Sequence, residues 1–231
     1  MMKNKSYIGI SFIILIFGIY AIPKIISRLQ NHEVVQGDRL NKIGPDEKSV
    51  NKASDLYTVG PVPQFILTNQ DNQRISNKDY QGKVFLVEFF FSTCPTICPI
   101  MNQNMRVIDD LFYNNPQFGI VSITINPEFD TPEVLKKHAQ DLGVKSKDWN
   151  FLTGDQEYIH DLSNKGFNIY TGQNSKVAGG FEHSGLFALV DKKGNIRCRK
   201  DEFGNPIVYY DGIEKKGLAM IKEDIRKLLA E

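Results

Sequence analysis

Residues 83–100 read KVFLVEFFFSTCPTICPI, and this stretch determines how the rest of the chain is interpreted. Residues 83–91 form a near-continuous run of apolar, β-favouring residues, which predicts a central strand covered on both faces. Cys94 and Cys98 follow that strand and are four positions apart. Since open α/β sheets place their sites at the carboxyl ends of strands, we expect the two thiols to belong to such a site.

The segments around this stretch alternate between strand-like and helix-like patterns. Further strands are predicted at residues 65–67, 119–125, 149–152, 186–190 and 196–199. Helices are predicted at residues 101–112, from Thr131, from Asp155 to about residue 165, and at 213–229. This order, which ends in a hairpin and a helix, predicts an α/β sandwich with a mixed central sheet flanked by helices.

The composition limits the class of protein. The chain has 231 residues, 41% of them hydrophobic, which is enough for one domain of ordinary size and an appendage. Its 28 basic and 27 acidic residues give a net charge of +1, so we expect no nucleic-acid partner. Three cysteines are too few for a disulfide-stapled scaffold, and they are therefore available for chemistry.

The first 27 residues differ from all that follow. Residues 7–22 read YIGISFIILIFGIYAI and carry no charge, which predicts one N-terminal transmembrane helix within a membrane anchor over residues 1–27. Sixteen helical residues rise ~24 Å, and Ile25 and Ile26 with a snorkelling Lys24 lengthen the span. Residues 28–54 are polar and lack a sustained apolar period, which predicts a tether before a domain at residues 55–231.

The location of the protein follows from this N-terminus. No A-x-A cleavage pattern follows the apolar run, which favours an uncleaved, single-pass anchor. Basic residues flank the segment almost equally, but the short N-terminus favours an internal N-terminus. We therefore expect the protein in the inner (cytoplasmic) membrane, with its soluble domain facing the periplasm or the cell exterior.

Cys94 and Cys98 are compatible with a disulfide staple, a redox couple or a metal site. At i and i+4 of a helical turn the two side chains face the same way, within the span of a disulfide or of one shared ion. A staple would close a loop of only about five residues and would stabilise the fold little. The positive end of the following helix should lower the pKa of at least one thiol, which serves both remaining alternatives.

A third ligand would favour a metal site, so the four histidines matter. His32 lies in the tether, and His138 and His160 lie within predicted helices, where a solvated or packed imidazole is the simpler interpretation. His183 instead lies in the glycine-flanked loop GGFEHSG, residues 179–185, directly before a predicted buried strand. It is the candidate to join the two cysteines.

Four features resemble the SCO/SenC copper proteins of cytochrome oxidase assembly. They are CPTICP at residues 94–99, SITINPEFDTPE at 122–133, the His183 loop, and LVDKKG at 189–194. The similarity covers about residues 59–231 and implies a membrane-anchored, thioredoxin-like domain. It also implies one copper ion, Cu(I) and in some states Cu(II), held by Cys94, Cys98 and His183.

The resemblance also implies a function and partners. Proteins of this family act as copper chaperones, delivering copper to the binuclear copper site of an oxidase subunit, or reducing that site's cysteines. The implied partners are the copper-bearing oxidase subunit, a copper donor protein and the membrane. Soft thiolates select Cu(I), which agrees with this set of ligands. Asn126 departs from the family, many of whose members carry Asp there, and the missing carboxylate disfavours Cu(II).

The alternative function on the same fold is a dedicated thiol-disulfide oxidoreductase of exported proteins, with Cys94 and Cys98 as its redox pair. Typical thioredoxin-like reductases have two residues between their cysteines, whereas this chain has three. They also resemble one another in a cis-proline where this chain has Ser184 and Gly185. These differences favour the chaperone but leave open a reductant of one partner, since a Cu(I)-binding dithiol can also exchange with a disulfide.

Three other types of side chain near these motifs receive simpler interpretations. Met101 and Met105 recur at helical spacing and are expected in the core rather than on copper. Cys198 is expected to be a half-buried spectator. Glu182, beside His183, is expected to be a solvated surface acid.

Overall fold

The computed structural model describes residues 15, 17–19, 22 and 55–231. The chain divides into two compact units, Met1–Ser49 and Val50–Glu231. The predicted anchor and tether lie almost entirely outside the described residues. Within the described part, no helix has the length and apolar content needed to cross a bilayer.

The second unit alternates strands and helices, as predicted. Its strands are β1 Tyr57–Pro61, β2 Ile66–Asn69, β3 Arg74–Ser76, β4 Val84–Phe90, β5 Phe118–Thr124, β6 Trp149–Thr153, β7 Thr171–Gln173, β8 Phe181–His183, β9 Leu186–Val190, β10 Asn195–Cys198 and β11 Tyr210–Asp211. Its α-helices are α1 Cys98–Phe112, α2 Pro132–Leu142, α3 Gln156–Asp161 and α4 Lys215–Ala230. A 3₁₀ turn covers Asn77–Tyr80, and a π-helix covers Leu162–Phe167.

The strands form one large mixed sheet and one small sheet. The large sheet has the order β1-β10-β9-β4-β5-β6-β2-β3, with β11 added on β9. β4 runs parallel to β5, and β5 runs parallel to β6. β9 pairs antiparallel to β4. The predicted mixed sheet is therefore confirmed, whereas β7 and β8 form a separate hairpin that the sequence did not predict.

β4 lies at the centre, and all seven of its residues are buried. Neighbouring residues on a strand face opposite sides, and here both sides are covered. Phe90 stacks on His138 of α2, whereas Phe89 packs edge-on against Phe167 of the π-helix. This confirms the prediction of a strand buried on both faces.

Helix boundaries follow local chemistry and differ from the predictions by a few residues. Thr131 caps α2, because its hydroxyl accepts a hydrogen bond from the Val134 amide. α1 begins at Cys98, earlier than predicted, since Pro99 fits one of the first two helical positions. The helix predicted from Asp155 to about residue 165 is instead a short α-helix followed by the π-helix.

Candidate metal centre

Three elements bring the candidate ligands together at the carboxyl end of β4. The turn after β4 carries Cys94, the first turn of α1 carries Cys98, and β8 carries His183. The ligand atoms of the three residues lie within 4.8 Å of one another. The His183 Nε2 atom lies 3.0 Å from the Cys98 Sγ and 3.9 Å from the Cys94 Sγ. The sulfurs are free thiols.

The β7–β8 hairpin determines the position of His183. His183 pairs with Thr171 across the hairpin. The Asn164 side chain of the π-helix forms hydrogen bonds with both the carbonyl and the amide of Thr171. The Asn164 Nδ2 donates to the Thr171 carbonyl at 2.9 Å, and its Oδ1 accepts from the Thr171 amide at 3.1 Å. The Phe91 ring then packs edge-on against the imidazole. The Phe91 ring and the hairpin together orient the His183 Nε2 towards the two sulfurs.

The two thiols differ in their electrostatics. Burial acts to raise the pKa of Cys94, but hydrogen bonds from the backbone amides of Thr96 and Cys98 outweigh it, and the net pKa is lowered. Burial strongly raises the pKa of Cys98, and the nearby Cys94 thiol and Glu88 carboxyl add to this effect. The expectation that at least one thiol has a lowered pKa is therefore confirmed for Cys94.

The imidazole is held in the form that binds metal. Burial lowers the pKa of His183. A neutral imidazole offers a nitrogen lone pair, as a metal ligand must. The donor set is therefore two soft sulfurs and one imidazole nitrogen, and among the described residues it is the one group of this kind with three ligands.

A cleft of about 310 Å³ opens on this cluster. Its lining includes Cys94 and His183 together with Ile97, Val177 and Phe181. An ion bound by the three ligands would lie next to this cleft. The site is thus accessible to a partner from one side.

The other candidates lie elsewhere or behave differently. Met101 and Met105 are fully buried in the core, as predicted. His138 contacts the Asn102 side chain and His160 contacts Thr171, and neither joins the cluster. Cys198 is fully buried rather than half-buried, and the backbone of Ile207 and Val208 lies close to its thiol.

Glu182 is also not the solvated acid that the sequence predicted. It is half-buried and lines the same cleft as His183. Its carboxylate accepts a 2.7 Å hydrogen bond from the Asn174 side chain and a 3.3 Å bond from the Tyr170 hydroxyl. These partners lie on the β7–β8 hairpin and the segments beside it, which brings the acid inward.

Two buried acids beside the site were missed. Glu88 is the single charged residue inside the apolar run of β4, and it is fully buried. Its carboxyl accepts a 2.6 Å hydrogen bond from Ser122, and burial raises its pKa to about 7. A lone acid in an apolar strand was the sequence signal for it. Asp130, in the 122–133 motif, is equally buried and is discussed below.

The thiols should react in a fixed order in the metal-free protein. Cys94 is 8% exposed and has the lowered pKa, Cys98 is 1% exposed, and Cys198 is 0% exposed. Since the thiolate is the reactive form, we expect iodoacetamide at neutral pH to label Cys94 first and Cys198 only after unfolding. Timed labelling followed by peptide mass spectrometry checks this. Labelling of Cys198 in the native protein at the rate of Cys94 would contradict the described burial.

Fold and site together define the class of protein. A mixed sheet with helices on both faces, and a cysteine pair at the end of its central strand, form a thioredoxin-like α/β domain with a group that could hold a metal ion. Comparison with known proteins gives the family. The SCO1/SenC family profile matches residues 53–216, and the chain belongs to this family.

One curated relative and one solved structure agree with this assignment, and a more distant solved structure shares the fold. The SCO1 protein homolog of Bacillus subtilis is 32% identical over 68% of this chain and 79% of its own length. The solved structure of BsSco, a member of the Sco family of cytochrome c oxidase assembly proteins, has a TM-score of 0.62 at 28% identity, covering 74% of this chain and 95% of that one. Arabidopsis thaliana ScoI, crystallised with copper bound, has a TM-score of 0.57 at 19% identity, covering 73% and 98%.

Proposed function

We propose that this chain is a copper-binding chaperone that helps to assemble the binuclear copper centre of a respiratory cytochrome c oxidase. The observation that carries the proposal is the convergence of Cys94, Cys98 and His183 beside a cleft that Cys94 and His183 line. Membership of the SCO1/SenC family supports it. So do the oxidase assembly role named for BsSco and the copper bound by the Arabidopsis thaliana relative.

The chemistry of the donor set supports Cu(I) as the cargo. Two thiolates and an imidazole suit Cu(I), and three ligands leave one coordination side open to a receiving protein. Structural zinc is usually held by four protein ligands, whereas the described residues supply three.

Delivery also requires a location and partners. The uncharged run at residues 7–22 supports a single-pass anchor in the inner membrane, with the domain on the periplasmic or outer side. The domain would there meet its partners, a copper donor protein and the copper-bearing subunit of the oxidase. Residues 28–54 would act as the tether that lets the domain reach both of them.

A second candidate function uses the same thiols. Cys94 has a lowered pKa and lies at the cleft, as an attacking thiolate should. In this reaction Cys94 attacks a disulfide of the client and releases one client thiol. Cys98 then attacks the mixed disulfide, so that the client gains two thiols and the chaperone is left with a Cys94–Cys98 disulfide.

A transfer experiment tests the function and separates the two candidates. The full chain, loaded anaerobically with Cu(I), is mixed with the metal-free copper domain of an oxidase subunit whose cysteines are reduced. We expect copper to move to the client, as measured by metal content after the two proteins are separated. The metal-free dithiol chain is mixed in parallel with the disulfide form of the client, and client thiols are counted.

The outcomes are distinct. Copper transfer in the first arm supports the chaperone. Reduction in the second arm without transfer in the first favours the oxidoreductase. Activity in neither arm would contradict both.

A further inference from the structure

Asp130 is a buried carboxylate that the metal site does not use as a ligand. It is 0% exposed and lies between the end of β5 and the start of α2, within the 122–133 motif. Its backbone amide donates a 2.9 Å hydrogen bond to the Asn126 carbonyl, which closes the turn. Among the described residues no lysine or arginine forms an ion pair with it, so its charge needs other partners.

Three hydrogen-bond donors converge on this carboxylate. The Ser92 amide donates to Oδ2 at 3.1 Å, and the Ser92 hydroxyl donates to Oδ1. The Thr124 hydroxyl donates to Oδ2 as well. Charge-assisted bonds of this kind are about twice as strong as neutral ones, and in a buried setting they compensate for the lost hydration of the carboxylate.

The position of Ser92 gives these bonds their significance. Ser92 lies two residues before Cys94, inside a turn in which the Cys94 amide donates a 3.2 Å bond to the Phe91 carbonyl. Asp130 holds both the backbone and the side chain of Ser92. It therefore joins the end of β5 to the segment that carries the first thiol, and it lies outside the ligand group itself.

We propose that Asp130 is a positioning residue for Cys94: it fixes the Ser92 turn so that the Cys94 sulfur faces Cys98 and His183. The part of this inference that concerns copper binding rests on the proposed function. Ligand geometry determines metal affinity, and partners one step behind the ligands typically contribute 10–100-fold. The role of Asp130 is then a property of the site and not only of the fold.

A matched control distinguishes the two roles. Asp109 of α1 is also 0% exposed and also fixes a loop, since its carboxylate accepts bonds from the amides of Lys145 and Ser146 at 2.9 and 3.2 Å. That loop carries none of the ligands. Asp109→Asn should therefore cost stability without disturbing the cluster.

The experiment measures Cu(I) affinity of the reduced full chain against a competing chelator, for the wild type, Asp130→Asn and Asp109→Asn. An asparagine amide nitrogen cannot accept the hydroxyl proton that a carboxylate oxygen accepts. We expect Asp130→Asn to weaken Cu(I) binding by about 10–100-fold and Asp109→Asn by less than about 3-fold, at a temperature where both are folded. Equal effects of the two variants, or none for Asp130→Asn, would overturn the proposal.

Two further measurements keep the test decisive. If Asp130→Asn does not fold, Ser92→Ala removes one donor and keeps the backbone bond, and a 3-fold or greater loss of Cu(I) affinity is expected from it. No loss there would overturn the proposal.

If the wild type itself binds no copper, the proposed function fails, and the rate of Cys94 alkylation then tests the positioning alone. A rate changed by Asp130→Asn but not by Asp109→Asn would support it, and an unchanged rate would overturn it.

Discussion

Replacing His183 by alanine is expected to weaken Cu(I) binding by at least about 100-fold and to leave the dithiol able to exchange with disulfides. The imidazole nitrogen lies 3.0 Å from the Cys98 sulfur and 3.9 Å from the Cys94 sulfur. Its loss removes one of three ligands from copper, whereas both sulfurs remain for exchange. Competition with a Cu(I) chelator measures the first property, and reduction of a small disulfide measures the second.

His138→Ala is the matched control for this prediction. His138 is also a partly buried imidazole, and burial likewise lowers its pKa, but it contacts Asn102 and stacks on Phe90 instead of facing the sulfurs. We expect its replacement to cost stability and to change Cu(I) affinity little. Equal weakening by the two variants would mean that lost packing, rather than a lost ligand, explains the effect of His183→Ala.

Replacing Glu88 by glutamine is expected to stabilise the metal-free protein at alkaline pH. Burial raises the pKa of Glu88 from 4.5 to about 7, even though the hydrogen bond from Ser122 opposes this shift. The folded state thus holds a proton that the unfolded chain has released between these pH values. The free energy of unfolding of the wild type should therefore fall as pH rises from about 4.5 to about 7.

The Glu88→Gln variant has no carboxyl group at this position, so its free energy of unfolding should not fall for this reason. Below pH 4.5 both side chains are neutral, and the two proteins should be similarly stable. Above pH 7 the variant should gain up to about 3 kcal/mol over the wild type. Urea unfolding of both proteins at pH 4.5 and pH 8 measures the difference, with the acidic pair as internal control. Parallel pH profiles would show that Glu88 is not kept neutral by the fold.

The sequence predicted the central sheet well because strands that are buried on both faces have continuous apolar sequences. The apolar run before Cys94 predicted β4 to within one residue at each end, and the run at 119–125 predicted β5 equally well. The N-cap at Thr131 marked the start of α2. In these segments local pattern and tertiary environment agree, so either one alone predicts the element.

Other parts of the fold depend on contacts that no local pattern records. β7 and β8 have three residues each and pair only with one another, and their position depends on Asn164. The predicted helix from Asp155 changes into a π-helix whose Phe167 packs under β4. Short elements of this kind are set by tertiary packing and not by propensity.

The sequence selected the three candidate ligands but not the residues that surround them. Cys94, Cys98 and His183 were selected by spacing and by the family resemblance, and the structure brings them together. Glu88 was not selected although a lone acid in an apolar strand marks it, and Asp130 was not selected because the sequence does not show that it becomes fully buried. Cys198 and Glu182 were misplaced for the same reason.

X-ray absorption at the copper edge of the Cu(I)-loaded full chain tests the central claim most directly, because it counts the atoms bound to the metal. We expect one copper ion per chain, with two sulfur neighbours and one nitrogen neighbour, and loss of the nitrogen in His183→Ala. A shell made only of nitrogen and oxygen atoms, or a reduced wild-type chain that retains no copper, would contradict the three-ligand site.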